Sequence, residues 1–451
     1  MERRLLAGLT AALLLLAAGC ASPSQSSSPD GASASYDADA LKTRSTAYLA
    51  DFREGAFDSF YADVSDELMK ALPRDTFTAQ LDTVFAQAGE LEETLSQDFT
   101  EQDGYSVVVI TERHAVKNLA ARFVYDSEGK VGGIFFQFVA DKDLPEPQNT
   151  EDFEEIPVKV GYNEQKLDGL LTLPKGVERP PVVILVQGSG PSDMDESVGA
   201  APNRPFADLA HGLAAEGIAT MRFNKRTYSY PNDVPPTIQG EMLLDVQDAI
   251  RQAAADERLD SGRIYVLGHS LGGMMAPEIA KENPQVRGII VMAGSLRRLE
   301  DIMLDQSKAA LDQQTALSET DKAAALAEVE TGVAKVKALG PDDAGTTVLG
   351  VPADYWLSLN AIDSAAVVRS LTLPMLILQG DKDFQVSPSA DYPQWQDALA
   401  GRDTVTFHLY PGLSHLFMPS VSDVIDVSAY DAPAHVDAGV IADIAAWVHA
   451  N

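Results

Sequence analysis

The sequence predicts a doubly wound α/β domain over residues 156–451, with a mostly parallel sheet of the eight-stranded type and a helical cap inserted at about 297–370. One observation is that apolar runs of strand length alternate with segments whose apolar residues recur at helical spacing. Another is the run 182–186, which is apolar throughout, as is typical of a strand buried on both faces of a parallel sheet. An Ala-rich, charged stretch then interrupts the alternation and predicts the cap.

A small α+β domain is predicted ahead of it, over residues 36–145. Three segments with helix-like apolar spacing precede three strand-like runs, an order that favours one sheet with helices on one face. Residues 146–155 are acidic, follow Pro145 and are interpreted as a linker. No group of residues in this domain has the composition of a catalytic site.

Length, charge and cysteine content indicate more than one domain and exclude several classes of function. The 451 residues are several times the ~150 residues of an average domain, which favours more than one unit. The chain has 34 Lys and Arg against 67 Asp and Glu, a formal net charge of -33 that argues against binding nucleic acid or an anionic lipid surface. We interpret this charge mainly as a solubility feature. A single cysteine excludes intramolecular disulfides, cysteine zinc knuckles and cysteine-ligated iron–sulfur clusters.

The first twenty residues have the layout of an export signal. Basic residues precede an apolar run at 5–18, which is too short for a lasting membrane span, and small residues then lead to Cys20. The Ser/Pro-rich stretch that follows is interpreted as a flexible tether. This layout resembles a bacterial lipoprotein signal, which implies removal of residues 1–19, a lipid on Cys20, a tether at 20–35 and a membrane anchor in the cell envelope. A conventional signal peptide with a chance cysteine is the alternative.

The motif that carries most chemistry is a Gly-x-Ser-x-Gly centred on Ser270, between a strand-like run at 264–267 and a helix-like segment. Gly268 and Gly272 suit a turn so tight that side chains at these positions would collide with neighbouring backbone. The turn lifts the Ser270 hydroxyl out of the sheet and directs the positive end of the next helix at it. In this context residues 156–451 resemble the α/β-hydrolase superfamily, which implies that Ser270 is a catalytic nucleophile.

The superfamily order of serine, acid and histidine sorts the candidates for the other catalytic groups. His415 directly follows the last predicted strand, where the catalytic histidine is expected, and His435, in an acidic loop, is the alternative. Asp383 fits the superfamily spacing Gly-x-x-Asp-x-x-Val and is favoured over Asp381 as the acid. Its expected role is to orient His415 and to stabilise the imidazolium that forms during attack.

Two backbone N–H groups are expected to bind the oxyanion of the tetrahedral intermediate. One belongs to Leu271, the residue after the nucleophile. The other is assigned to Ser189, in the loop of small residues at 187–191 that follows the strand at 182–186.

No cofactor and no metal are predicted. The loop at 187–191 lacks the endings of phosphate-binding and dinucleotide-binding loops, and there is no His-Glu-x-x-His zinc motif. Asp193, Asp195 and Glu196 are interpreted as a solvated acidic loop rather than as a calcium site, because a full set of ligands is missing.

Further stretches resemble bacterial esterases and acyl hydrolases related to dienelactone hydrolases, acyl thioesterases and serine aminopeptidases. They occur in matching order at 167–174, 187–191, 222–226, 268–277 and 355–357. The resemblance implies a reaction class but names no substrate. Dienelactone hydrolases usually carry a cysteine nucleophile, so the serine at position 270 argues against that activity.

These observations lead to the hypothesis of a serine carboxylesterase that acts on a small-molecule acyl substrate through an acyl-enzyme. Tyr355 and Trp356 are candidates for lining the acyl pocket, with packing inside the cap as the alternative. A peptidase or amidase, or an acyl thioesterase, would use the same catalytic residues. From a different class, a catalytically silent binding lipoprotein anchored in the envelope is the other hypothesis.

Overall fold

A computed structural model describes residues 37–65, 68–69, 72, 74–102, 105–115, 118–139, 146–199, 203–231, 233–313, 318–420 and 430–451. It divides into two compact units, which lie within Ser22–Leu144 and Pro145–Asn451. The predicted signal peptide, Cys20 and the tether lie outside the described residues. Within the described ranges, no helix has both the length and the apolar character that crossing a membrane requires.

The first unit is an antiparallel sheet with helices packed on one face. Its helices are α1 (Ala38–Arg53), α2 (Asp58–Asp63) and α3 (Arg74–Ala88), and its strands are β1 (Leu91–Gln102), β2 (Tyr105–His114), β3 (Asn118–Tyr125) and β4 (Val131–Val139). The strands pair in the order β1-β2-β3-β4. The ring centroids of Phe52, Phe60 and Phe77 lie 5.0 to 5.5 Å apart, and this aromatic cluster packs against Val108 and Ile110 of β2.

Strand β1 has no counterpart in the sequence prediction. Its apolar residues Leu91, Leu95 and Phe99 are four positions apart, a spacing that favours a helix rather than a strand. In the structure β1 pairs with β2 along its whole length, with two register shifts near its beginning. The backbone hydrogen bonds of this pairing override the local pattern, because strand formation depends on the partner strand as well as on the segment itself.

The second unit is built on an eight-stranded sheet, which confirms the predicted fold class. Its strands are β5 (Phe153–Val160), β6 (Leu167–Pro174), β7 (Val182–Val186), β8 (Ala219–Phe223), β9 (Ile264–His269), β10 (Val286–Met292), β13 (Met375–Gly380) and β14 (Val405–Tyr410), while β11 (Thr347–Val348) and β12 (Val351–Pro352) form a separate small hairpin. The order is β14-β13-β10-β9-β7-β8-β6-β5, and β6 alone runs antiparallel to its neighbours.

Helices cover both faces of this sheet, which explains why its central strands are apolar throughout. On one face, Leu209 and Ile444 pack against Leu185 of β7, and on the other Val246 and Ile279 pack against Val266 of β9. The helices of the unit are α4 (Pro205–Ala215), α5 (Arg226–Ser229), α6 (Leu244–Ala255), α7 (Leu271–Glu282), α8 (Leu299–Gln313), α9 (Glu319–Ala338), α10 (Ala353–Asn360), α11 (Ser364–Ser370), α12 (Tyr392–Ala398) and α13 (Ala438–Ala450), with a π-helical segment at Gln239–Leu243.

The predicted cap corresponds to helices α8 to α11 and the β11–β12 hairpin, which lie between β10 and β13 in the chain. Arg297 connects the beginning of this insertion to the rest of the unit. Its guanidinium donates to Asp391 at 2.8 Å and to Asp305 of α8 at 2.6 Å. Because Asp391 is fully buried, this ion pair holds the first cap helix at the sheet edge.

The predicted linker at 146–155 differs from the structure at its carboxyl end, because β5 begins at Phe153. Glu155 is buried in this strand and accepts a hydrogen bond from Arg222 of β8 at 2.7 Å. Nε2 of His211 lies 2.9 Å from the same carboxylate oxygen. The acidic residues here suggested a solvated linker, but the partners of Glu155 come from distant parts of the chain.

Arg222 is satisfied by this buried network. Besides Glu155 it donates to Asp195 and to the hydroxyl of Thr172, both at 2.7 Å. Burial alone would raise the pKa of Glu155, but the hydrogen bond with His211 and the charge of Arg222 outweigh burial and lower this pKa to about 2.

Glu155→Gln is expected to destabilise the second unit by about 3–5 kcal/mol at pH 7, because Arg222 stays buried with less counter-charge. The pKa of Glu155 in the folded protein, about 2, lies below its ordinary value of 4.5. The stabilisation by the ionised carboxylate is therefore complete above pH 4.5 and is lost as the pH falls toward 2. The melting temperature of the variant should therefore fall less between pH 7 and pH 3 than that of the unsubstituted protein. Circular dichroism melts between pH 3 and pH 7 measure both effects, with the exposed Glu151→Gln as the control. Equal melting temperatures for E155Q and the unsubstituted protein at pH 7 would contradict the expectation.

Candidate active site

Ser270 lies in a strained turn between β9 and α7. Its φ of +52° is one that residues other than glycine rarely adopt. A Cβ on Gly268 would lie 2.1 Å from the carbonyl oxygen of Gly272, and a Cβ on Gly272 would lie 2.3 Å from the carbonyl oxygen of Val186. The two glycines therefore allow α7 to start directly against β9 and β7, with Ser270 at its amino end.

Asp383 and His415 form a buried pair at the carboxyl edge of the sheet. Nδ1 of His415 lies 2.7 Å from Oδ2 of Asp383. The other oxygen, Oδ1, accepts the backbone N–H groups of Gln385 and Val386 at 2.8 and 2.9 Å, and Gln379 donates to Oδ2 at 2.8 Å. These bonds fix the carboxylate, so that it can hold the imidazole of His415 in one orientation.

His415 lies beside the turn that carries Ser270. Its ring centroid is 4.6 Å from that of His269, the residue before Ser270. Nε2 of His269 lies 3.0 Å from the carbonyl oxygen of His415. The structure therefore places Ser270, Asp383 and His415 at the same edge of the sheet.

The alternative candidates occupy other environments. His435 is exposed, with Nδ1 2.9 Å from Asp208. Asp381 is exposed and accepts the backbone N–H of Gly412 at 2.7 Å. It contacts the loop that leads to His415, but its carboxylate forms no described bond with the imidazole.

A cavity opens beside Ser270, and the predicted oxyanion residues Ser189 and Leu271 line it. Since Leu271 is the first residue of α7, its N–H has no acceptor within the helix. Apolar side chains from α7, the cap and the loop after Asp383 form a large part of its wall: Met274, Leu299, Ile302, Met303, Val351, Trp356 and Val386.

Both predicted pocket residues contact this cavity. Tyr355 and Trp356 lie in α10 and are among its lining residues. Trp356 is 1% exposed and its indole N–H donates to the carbonyl of Val348 at 3.0 Å. It therefore packs within the cap and also contributes to the cavity wall, so that the two interpretations of this residue are compatible.

Two buried ion pairs hold Gly188, the residue before Ser189. In the first, Nζ of Lys225 donates to the carbonyl oxygen of Gly188 at 2.7 Å and lies 2.6 Å from Oε1 of Glu241.

Burial, together with the charge of Glu241 and a hydrogen bond to it, raises the pKa of Tyr355 well above its ordinary value. The tyrosine hydroxyl therefore keeps its proton and donates a hydrogen bond to Glu241.

The second ion pair joins Glu196 and His269. Oε1 of Glu196 accepts the N–H of Gly188 at 2.7 Å and lies 3.0 Å from Nδ1 of His269. Because Nε2 of His269 faces a carbonyl oxygen, both ring nitrogens must donate and the imidazole is protonated. Burial alone would lower the pKa of His269, but the charge and hydrogen bond of Glu196 outweigh burial and raise it.

The interpretation of residues 193, 195 and 196 as a solvated acidic loop is wrong. Asp193 accepts the backbone N–H groups of Asp195 and Ser197 at 3.0 and 2.9 Å, and Asp195 is 3% exposed beside Arg222. Acidic composition suggested solvent, but these carboxylates satisfy backbone and arginine donors inside the protein. Among the described residues, no group of three or more His, Cys, Asp or Glu side chains is placed to hold a metal ion.

Sequence reasoning missed Glu196, Lys225, Glu241 and His269 as parts of the site. Lys225 lies in the segment 222–226, whose resemblance to bacterial hydrolases was the one signal that pointed to it. His269 lies inside the Gly-x-Ser-x-Gly motif, but no local spacing indicates its pairing with Glu196. Glu196 and Glu241 likewise pair with residues outside their own segments.

Family comparisons agree with the division of the chain. A family described as "Serine aminopeptidase, S33" matches residues 203–419, and a family described as "Protein of unknown function (DUF3887)" matches residues 45–134. The first match spans the region from the start of α4 to the loop that carries His415, and the second lies in the first unit.

Esterase EstD from Thermotoga maritima is 34% identical over 395 residues, which cover 87% of this chain and 91% of EstD. Among solved structures, Est1E from Butyrivibrio proteoclasticus is 17% identical and covers 65% of this chain and 99% of its own, with a TM-score of 0.41. The esterase PF2001 from Pyrococcus furiosus is 15% identical and covers 66% of this chain and 91% of its own, also with a TM-score of 0.41. Given the extent of the match to EstD, the chain belongs to the α/β-hydrolase superfamily and, within it, to the esterase family that includes EstD.

Proposed function

We propose that the protein hydrolyses carboxylic esters of small acyl substrates, with Ser270 as the nucleophile. The observation that carries the proposal is the strained turn at Ser270, a residue that lines a largely apolar cavity. The Asp383–His415 pair lies at the same edge of the sheet. Membership in the family of an esterase supports the same reaction class.

In the proposed first step, Oγ of Ser270 attacks the ester carbonyl carbon while Nε2 of His415 accepts the hydroxyl proton. The C–O π electrons move to the carbonyl oxygen and form an oxyanion. When the tetrahedral intermediate collapses, the C–O bond to the alcohol breaks and the alkoxide leaves with the proton from His415. The acyl group then remains esterified to Ser270.

In the second step, water attacks the acyl-enzyme while His415 accepts its proton. Collapse of the new intermediate releases the carboxylic acid and returns the proton to Oγ of Ser270. Asp383 stabilises the imidazolium in both steps without taking the proton, because its carboxylate is held by four hydrogen bonds.

The backbone N–H groups of Ser189 and Leu271 bind the oxyanion in this proposal. Both residues line the cavity together with Ser270. One such donor typically contributes about 2.7–4 kcal/mol to transition-state stabilisation, so the orientation of the two peptides matters greatly to the rate.

The cavity favours an ester with an apolar acyl group over an aminopeptidase substrate. An aminopeptidase needs a carboxylate that is available to the ammonium group of its substrate. Glu241 is the one carboxylate among the described lining residues, and Lys225 and Tyr355 already bind it. An acyl thioester presents the same apolar group and carbonyl to Ser270, so it is the second candidate substrate.

A catalytically silent binding lipoprotein is less consistent with the site. The strain at Ser270 has a free-energy cost, and a fold without catalysis has no need to hold a serine in this conformation.

The loss of Ser270 tests the proposal. The unsubstituted protein is expected to hydrolyse p-nitrophenyl esters, to leave aminoacyl p-nitroanilides intact and to be labelled by a fluorophosphonate, because the probe reacts with an activated serine. Ser270→Ala should abolish ester hydrolysis and labelling, while the exposed Ser370→Ala should retain both. Equal labelling of the Ser270→Ala variant would show that another residue reacts and would refute the proposal.

The two aspartates after β13 give a matched comparison. Asp383→Asn should lower kcat by about 10³–10⁴-fold, because the amide favours the wrong tautomer of His415. Asp381→Asn should leave kcat within about threefold, since Asp381 binds only a backbone N–H among the described residues. Steady-state kinetics on p-nitrophenyl acetate measures both values, and the reverse order would exchange the assignments.

We also propose that the protein is exported and anchored in the bacterial cell envelope by a lipid on Cys20, as the layout of residues 1–35 suggests. Full-length protein expressed in a bacterium should incorporate radiolabelled palmitate and sediment with membranes, whereas Cys20→Ala should not incorporate the label. Membrane sedimentation of Cys20→Ala without label would instead favour an uncleaved signal peptide.

A further inference from the structure

We propose that Lys225 is a positioning residue that directs the N–H of Ser189 at the reacting carbonyl oxygen, through its hydrogen bond to the carbonyl of Gly188. This inference rests on the proposed function, because it assigns a task in the stabilisation of the oxyanion.

Lys225 binds a single peptide unit, the one between Gly188 and Ser189. The carbonyl of Gly188 and the N–H of Ser189 belong to the same peptide bond, and no described peptide bond is cis. In a trans peptide these two groups point in opposite directions. Nζ of Lys225 lies 2.7 Å from the Gly188 oxygen, and Lys225 is 3% exposed. The carbonyl therefore points into the protein, and the N–H of Ser189 points the other way, toward the cavity that Ser189 and Ser270 line.

The neighbouring peptide is held by a different residue. Glu196 accepts the N–H of Gly188, which belongs to the peptide between Gln187 and Gly188. Lys225 is thus the side chain bound to the peptide that carries the proposed oxyanion donor, whereas Glu196 fixes the peptide before it. Glycine restricts the orientation of its own peptide groups less than any other residue does, so a hydrogen bond at the Gly188 carbonyl helps to select one orientation.

The charge of Lys225 strengthens this effect. A charged donor on the carbonyl polarises the peptide and makes the N–H at its other end a better hydrogen-bond donor. Oε1 of Glu241 lies 2.6 Å from this ammonium and supplies the opposite charge beside it. Glu241 itself lies in the π-helical segment, a form of backbone that is frequent at functional sites.

A buried ion pair is also weak evidence for stability, since apolar replacements of both partners are often neutral or stabilising. This gives a way to separate positioning from folding. Replacing Lys225 alone leaves Glu241 buried and charged, which lowers stability, whereas replacing both removes the uncompensated charge.

The experiment compares K225M, K225M/E241Q and K166M by steady-state kinetics and thermal melts. We expect K225M to lower kcat on a p-nitrophenyl ester about 10²-fold with KM changed less than about twofold, because the lost interaction acts in the transition state. The double variant should recover the melting temperature but not kcat. Lys166 also donates to a glycine carbonyl, that of Gly161, and K166M should keep the unsubstituted kcat because this bond lies outside the cavity.

Inhibition by a trifluoromethyl ketone, which forms a tetrahedral adduct with the catalytic serine, supplies a second readout. Its inhibition constant should rise by the same factor as kcat falls in K225M/E241Q. The inference would be overturned if K225M/E241Q folds and has the kcat and inhibition constant of the unsubstituted protein. It would also be overturned if the second substitution restores kcat, relative to K225M, together with the melting temperature. Ser270→Ala, measured alongside, distinguishes failure of the Lys225 inference from failure of the proposed function. If this variant still hydrolyses the ester, the proposed function itself is wrong.

Discussion

The close approach of Gly272 to the end of β7 is the contact on which the site depends. A side chain at Gly272 would lie 2.3 Å from the carbonyl oxygen of Val186 and 2.7 Å from that of Gln187. With glycine there, the helix that begins after Ser270 packs directly against the strand that leads into the loop of Ser189. As a result, Cβ of Ser270 is 3.1 Å from the position that a Cβ on Gly188 would take. Backbone packing therefore brings Ser270, the proposed nucleophile, to the loop of Ser189, before any side chain contributes.

Buried charged side chains then fix the orientation of that loop. Lys225 and Glu196 bind the carbonyl and the N–H of Gly188, and each is paired with a residue of opposite charge. Such pairs are costly to desolvate, and they contribute little to stability compared with apolar packing. In the proposed arrangement their contribution is directional, because they bind the carbonyl and the N–H of Gly188 from defined positions. The protonated His269 extends this arrangement to the carbonyl of His415, so the loops on both sides of Ser270 are held by the same set of charges.

Much of the second unit could be predicted because its signals are local. The apolar run of β7 and the strand, turn and helix around Ser270 each lie within a few residues, and the structure has these elements where the patterns indicate them. Asp383 and His415 follow β13 and β14 directly, and parallel strands bring their carboxyl ends to one edge. Strand β1 and the beginning of β5 could not be predicted, because one has its apolar residues at helical spacing and the other carries acidic residues whose partners are distant in the chain.

The reaction class and the order of the three candidate catalytic residues could be predicted from the sequence, because a tight turn, a strand end and a glycine requirement are properties of short segments. How the loop of Ser189 is held could be seen only in the folded chain. Lys225 meets Gly188 across 37 residues of chain, and His269 meets Glu196 across 73. An acidic or basic side chain has the same appearance in a sequence whether it faces water or a buried counter-charge. The choice between these depends on which segments the sheet brings together, and only the folded chain specifies that.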